Sequence, residues 1–421
     1  LLSGKRTAIL GIQSVTERSL LSNTIIIAVR DSLPIYLLSS LIVLSGAVLG
    51  RSNIPLGGHP DAKEGDLLNS LAAWDGVHYV RIVEEGYSYD PNAMSNVAFF
   101  PAFPLMGRLL VVLTGCRAEC ALLVVGHIFL ISAFITAALY VKSRGGQEDP
   151  RWTAGTLLAF GLFPTTFYFR MAYTESLFIF LLILTLYGIH CEWPPWLLAA
   201  VVGLATATRA SGVVLVVPLL IAVWRRNPSA GALFVRSPLL LLIACWGILS
   251  FATFQYLAFG DPLAFMRTQS HWNQRPSIGL VEMLLRELTL EPLFCNYDPS
   301  CDCYHLHQGR EPSAVFHMFF ANPIYFVSFG VLLAVGVFKR WLTEGEALAG
   351  ILLLLFAYFT KSYTTCMSSQ ARYAASVFPA YLVLGRLLQP LPRTITATFA
   401  GLSAFLLGAY AALFVQWHDL Y

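Results

Sequence analysis

The sequence predicts an all-α, polytopic integral membrane protein: one bundle of about eleven apolar helices, with an amphipathic helix in its first extracytoplasmic loop. Three observations predict it. Of the 421 residues, 57% are hydrophobic and only 12% charged, where soluble domains average about 25% charged. The mean hydropathy is +0.65. Apolar runs near the length needed to cross a hydrocarbon core recur along the whole chain. The net charge of +3 is small, and neither a basic block nor an acidic tail occurs. Membrane lipids are therefore expected around the chain and nucleic acid is not.

Taken in order, residues 1–32 carry Lys5, Arg6, Arg18 and Arg30 without a signal-peptide cleavage pattern. They read as a cytoplasmic lead-in with an interfacial helix. Strong spans follow at 33–50, 118–141, 152–169, 173–190, 237–259, 314–338 and 394–416, and shorter ones at 195–209, 212–225, 346–360 and 372–388. The run at 99–115 is short, and Pro101 and Pro104 interrupt its first turn, so it reads as interfacial or re-entrant. With that choice, 142–151, 225–236, 339–345 and 386–393 share one side with the N-terminus. Residues 51–117 and the long 260–313 loop lie on the other. The first side has the short, Lys- and Arg-bearing linkers, which makes it cytoplasmic by the positive-inside rule. The whole of 1–421 reads as one transmembrane domain. Cys295, Cys301, Cys303 and Cys366 fall on the outer side, where an oxidising compartment permits disulfides. Zinc is the rival reading of "CNYDPSCDCYHLH" (295–307), whose spacing fits no standard zinc module.

Unusual polar residues gather on the outer side. In "AAWDGVHYVRIVEEGY" (72–87), Asp75, His78 and Tyr79 share a helix face. Trp74 and Ile82 suit a membrane surface, so the stretch reads as an amphipathic interfacial helix. Glu84, Glu85 and Asp90 read as solvated loop charges. "FYFRMAYTESLFIF" (167–180) puts Glu175 at the outer mouth of a hairpin, with Arg170 as a rim partner. A carboxylate there is costly unless paired or wet. "ATATRASG" (205–212) places Arg209 at an outer end, where snorkelling is the bland explanation. "GDPLAFMRTQSHWNQR" (260–275) mixes Arg267 with Trp272, suited to an anionic, sugar-like ligand or to a plain aromatic belt. "SSQARYAASVFP" (368–379) sets Arg372 and Tyr373 at the entry of a span. Their coincidence on one side argues for a shared polar cavity. A carboxylate in it can serve as general base to an acceptor hydroxyl, and arginines can hold a phosphate. No Walker-type loop or dinucleotide fingerprint is present. A transporter or flippase of lipid-linked sugars would show midplane charges and related halves; here the charges sit at outer ends and the halves do not match.

"WDGVHYVRIVEEGY", "AFFPAFPL", "AYTESLF" and "ATRASG", with "GDPLAFMRTQSHW" and "ARYAASVFPAYLVLG" downstream, together resemble the PIG-V mannosyltransferases of GPI-anchor assembly and their prokaryotic relatives, in order from about residue 72 to 385. The resemblance implies a GT-C-type helical bundle. It implies a polyprenyl- or dolichyl-phosphate-mannose donor, a lipid-linked or glycan acceptor, and transfer with inversion on the outer face. It places Asp75 at the catalytic carboxylate. The membrane expected is the bacterial plasma (inner) membrane, or the endoplasmic reticulum in a eukaryote. Of the substrate-binding candidates, His78 and Tyr79 are expected to orient the acceptor or bind sugar. Glu175 is expected to bind acceptor or support the site, and Arg209, Arg267 and Arg372 to meet the donor phosphate. Trp272 and Tyr373 complete the set. No cofactor is assigned; a divalent cation shared by Asp75 and Glu175 is the one considered. The Cys-rich 295–307 stretch matches none of the family's motifs.

Overall fold

A computed structural model describes residues 3–146, 149–226, 230–304 and 318–418, whose regular structure is all helix, with no strand among them. The first half contains α1 (Ser3–Asn53), α2 (Leu67–Leu71), α3 (Asp75–Glu84), α4 (Ala102–Thr114), α5 (Ala118–Val141), α6 (Pro150–Leu162), α7 (Glu175–His190), α8 (Pro195–Thr206) and α9 (Val216–Arg226). There follow α10 (Ala230–Ala244), α11 (Trp246–Phe259), α12 (Ala264–Arg267), α13 (Leu280–Leu288) and α14 (Glu291–Cys295). The chain ends in α15 (Met318–Phe338), α16 (Glu344–Lys361), α17 (Gln370–Ala375), α18 (Phe378–Leu388) and α19 (Arg393–Val415).

Among the described residues, 4 helices are long and apolar enough to cross a membrane, or up to 6 if each bent pair is one span. Several runs that hydropathy reads as single spans are broken. The run expected at 152–169 leaves the α-helix after Leu162, because Phe163 precedes Pro164 and adopts an extended ψ of 134°. A 3-10 segment, Pro164–Arg170, then meets α7 at 104°. The run at 237–259 bends by 62° between α10 and α11; the Thr206 hydroxyl accepts the Ile248 amide just past the break. The run at 372–388 divides into α17 and α18. The first span begins at Asn23 rather than at 33. Residues 314–317 of the expected 314–338 span lie outside the described residues. The 99–115 run is α4, at about 20 Å too short to cross. It turns Leu105, Leu109, Val112 and Leu113 outward.

Small residues let the main helices approach closely. A Cβ on Gly46 of α1 would lie 2.2 Å from the Gly408 carbonyl of α19, and one on Gly50 2.5 Å from that of Ala412. The basic linkers meet at one end of the bundle. There Arg144 pairs with Glu346, Lys142 lies 2.7 Å from Asp31, Arg225 pairs with Glu344 and the Arg386 guanidinium stands 3.6 Å over Trp152. Asp75 and its neighbours occupy a separate cluster, built by α3, α7, α17 and the ends of α8 and α16.

Candidate functional site

Asp75 owes its place to Trp74. Trp74 sits before α3 at φ 60°, ψ −125°, a conformation that a bulky residue adopts only under restraint. Its indole N–H donates to the Phe414 carbonyl at 3.2 Å, and its ring packs on His59 and Trp417. The α1–α19 pairing thus carries the seat of Trp74, and the turn at Trp74 makes Asp75 the first residue of α3. The Asp75 amide donates to the Tyr173 hydroxyl at 3.1 Å. A carboxylate at a helix N-terminus is favoured by the exposed amide dipoles.

Glu175 opens α7 at the sharp bend after Pro164–Arg170, and its side chain is fully buried. A lone buried carboxylate would be prohibitive. Two guanidiniums compensate it: Arg209 donates to Oε1 at 2.8 Å, and Arg372 Nε donates to the same oxygen. Arg372 then reaches Asp75 Oδ2 through its NH1, with the Tyr173 ring 4.4 Å away. Four charged side chains from distant parts of the chain are therefore linked in series, Asp75–Arg372–Glu175–Arg209. Asp75 retains 22% side-chain exposure and Glu175 none. Of the two carboxylates, Asp75 is the one with exposed surface.

The other expected residues divide. His78 stacks on Phe99 at 4.7 Å, and Trp272 meets His78 and Phe99 edge-on, each at 6.2 Å. Burial pushes the His78 imidazole below its ordinary pKa, with the Asp75 charge acting the other way. Arg209 lies 5.3 Å over Tyr373. Tyr79 is not presented to a cavity: its ring is buried against Phe99 and Phe103, and its hydroxyl faces Thr174 Oγ1 at 3.4 Å. Arg267 stands apart, 69% exposed and 3.1 Å from Asp261. Arg170 does not pair with Glu175; it turns to Ser39 of α1 and to the Thr166 carbonyl. Arg372, expected at a phosphate, is committed to the two carboxylates. A cation shared by Asp75 and Glu175 would have to displace its guanidinium.

Cys303 and Cys366 are joined in a disulfide. Cys295 and Cys301 are free thiols, close to Glu291, the ligand atoms of the three lying within 4.8 Å of one another. Glu291 already takes both arms of the Arg275 guanidinium, at 2.7 and 3.0 Å. His305 and His307 of the zinc reading lie outside the described residues.

Sequence reasoning passed over two residues. Tyr173 anchors the Asp75 amide and stacks on Arg372; its signal is its place at the head of the "YTE" in the Glu175 motif. Lys361 ends α16 and donates to Gln269 Oε1. Nearby, the Thr364 carbonyl accepts the amides of Gln274 and Arg275 at 2.8 and 3.2 Å, which docks the segment bearing Trp272 onto the end of α16.

Comparison with known proteins finds a family model described as mannosyltransferase (PIG-V) that matches residues 58–270. That stretch holds Asp75, Glu175 and Arg209 but neither Lys361 nor Arg372. GPI alpha-1,6-mannosyltransferase 2 of Rattus norvegicus is 34% identical over 209 residues, 46% of this chain and 41% of that protein. The Homo sapiens protein of that name is 30% identical over 208 residues, with the same coverage. The matched region thus spans under half the length of these relatives. Among solved structures, the Archaeoglobus fulgidus oligosaccharyltransferase aligns with a TM-score of 0.44 at 14% identity, covering 90% of this chain and 53% of that one.

Proposed function

The chain belongs to the PIG-V mannosyltransferase family, and from that premise we propose that it is a multi-pass membrane glycosyltransferase of GT-C type. It moves mannose from a polyprenyl- or dolichyl-phosphate donor to a hydroxyl of a lipid-linked or glycan acceptor on the extracytoplasmic face. The observation that carries this reading is the joining of Asp75 and Glu175 through Arg372. In the proposed step Asp75 takes the proton from the acceptor hydroxyl as the oxygen forms its bond to the anomeric carbon. The bond from that carbon to the phosphate oxygen breaks, and the phosphate leaves with the electron pair. Attack opposite the leaving group inverts the anomeric centre. Glu175, with no exposed surface, is a positioning residue: it fixes Arg372, which fixes Asp75. His78, Phe99 and Trp272 form an aromatic wall suited to a sugar ring.

The test is turnover of polyprenyl-phosphate mannose by purified full-length protein. Asp75→Asn keeps the volume and removes the base, which is worth roughly 10²–10⁴ in rate; turnover falls by about that factor while the protein still inserts and purifies. Glu85→Gln, an exposed charge, leaves turnover unchanged. Near-normal turnover of Asp75→Asn at saturating donor and acceptor would sink the assignment.

A further inference from the structure

The proposed transfer leaves a phosphate anion behind, and the arginines expected to receive it are engaged elsewhere. Arg372 and Arg209 neutralise Asp75 and Glu175. Arg267 is at the surface with Asp261, and Arg275 is held by Glu291. Lys361 differs. Its side chain is largely withdrawn from solvent, and it has no carboxylate within ion-pair distance among the described residues. Its hydrogen bond goes to a neutral amide oxygen, that of Gln269. Burial pushes the Lys361 ammonium below its ordinary pKa, with the Asp75 charge acting the other way. Resting on the transferase reading, we infer that Lys361 binds the phosphate of the lipid-linked donor and of the polyprenyl phosphate released from it.

Charge and position both argue for this. The Asp75–Arg372–Glu175–Arg209 set sums to zero, so its two carboxylates are already matched by its own guanidiniums and Lys361 adds a positive charge beside it. A half-buried cation without a counter-ion is costly, and a phosphodiester bringing one negative charge removes that cost on binding. Lys361 closes the C-terminus of α16, where a cation is favoured in the resting protein. It lies where the Gln269–Arg275 segment docks on α16, and that segment delivers Trp272 to His78 and Phe99. A phosphate at Lys361 would therefore meet the segment that carries Trp272 to the aromatic wall. Gln269 Oε1 cannot donate to the phosphate, but it orients the ammonium and gives it up at little cost. The competing role is mechanical: Lys361 would merely tie the loop to α16 through Gln269.

Binding measurements on the full chain in lipid nanodiscs separate the two. The probes are farnesyl monophosphate, farnesol and inorganic phosphate. Farnesyl monophosphate binds wild type more tightly than farnesol does. Hydrogen bonds to charged groups contribute about 1.5–3 kcal/mol, so Lys361→Met weakens farnesyl monophosphate by about 10- to 100-fold. Lys361→Arg stays within a few-fold, Gln269→Leu changes affinity little, and farnesol binding is unmoved in all three, which also reports that they are folded. Three outcomes overturn the inference: unchanged farnesyl monophosphate binding in Lys361→Met, an equal loss in Gln269→Leu, or inorganic phosphate competing as well as the lipid phosphate. None of these readouts needs mannose transfer, so the two failures are distinguishable: absent mannose turnover by the wild type would sink the transferase reading, near-normal turnover of Asp75→Asn would remove only the base, and either leaves the binding data on Lys361 as measured.

Discussion

At the level of single residues, two fully buried carboxyl groups meet opposite surroundings. Glu175 has two guanidiniums; Glu287 on α13 has none among the described residues. Glu287 is buried on α13, accepts from Ser362 at 3.3 Å and leaves Oε2 without a hydrogen-bond partner. Burial pushes its carboxyl up to about 7. The folded protein therefore holds this proton more tightly than the unfolded chain, whose Glu titrates near its ordinary value. The resulting stabilisation is complete below that ordinary value and is lost as pH rises through about 7. Thermal stability of wild type should decline over that window, and Glu287→Gln, which stays neutral, should flatten the decline. An identical pH profile in the variant would show that Glu287 is ionised or solvated in the native protein. Trp74 is the other costly residue: a strained backbone of this kind costs on the order of 1–3 kcal/mol, and the contacts to Phe414, His59 and Trp417 offset it.

The element that most depends on its surroundings is the turn between α16 and α17. Cys366, Met367 and Ser369 all have positive φ, at 53°, 60° and 63°, with no glycine to relieve them. This turn delivers Arg372 to both carboxylates. Two restraints hold it: the Thr364 carbonyl bound by the 274–275 amides, and the disulfide from Cys366 to Cys303, 63 residues away in sequence. Removing a crosslink of that span costs typically about 2–4 kcal/mol. Cys303→Ser with Cys366→Ser should lower the melting temperature. It should also reduce turnover more than donor binding, because Arg372 loses its fixed position rather than the ligand its cation. Non-reducing peptide mapping should recover the Cys303–Cys366 linkage; finding both thiols free would remove the crosslink from the account.

For the molecule as a whole, the arrangement has two chemically different ends. One collects the basic linkers with Arg144, Glu346 and Lys142; the other collects Asp75, Glu175, Arg209, Arg372 and Lys361. The topology expected from the sequence puts the first end in the cytoplasm, because its linkers are short and carry Lys and Arg. A single reporter cysteine at the exposed Lys339, in a background without other cysteines, should label with an impermeant maleimide only after permeabilisation. One at the exposed Asn92 should label in intact, right-side-out membranes. The reverse pattern would invert the bundle and place the Asp75 end in the cytoplasm.

The sequence by itself determined the class of molecule and the neighbourhood of the site. Composition required helices in lipid, because an apolar chain in a bilayer must satisfy its backbone internally. Polar residues at the ends of apolar runs, read with the expected topology, marked Asp75, Glu175, Arg209 and Arg372 as companions before any contact was known. The tertiary structure decided how they pair. Hydropathy counts apolar length and is blind to bends such as those at Pro164 and Cys245, which set where Glu175 and the 260–275 segment emerge. It also treats every outer cation alike. Which arginine is neutralised, which is at the surface and which lysine keeps an uncompensated charge depends on side chains brought together from residues 75, 175, 209, 269, 361 and 372. That information lies in the packing of α1 on α19 and of α16 against the outer loop, and no local pattern contains it.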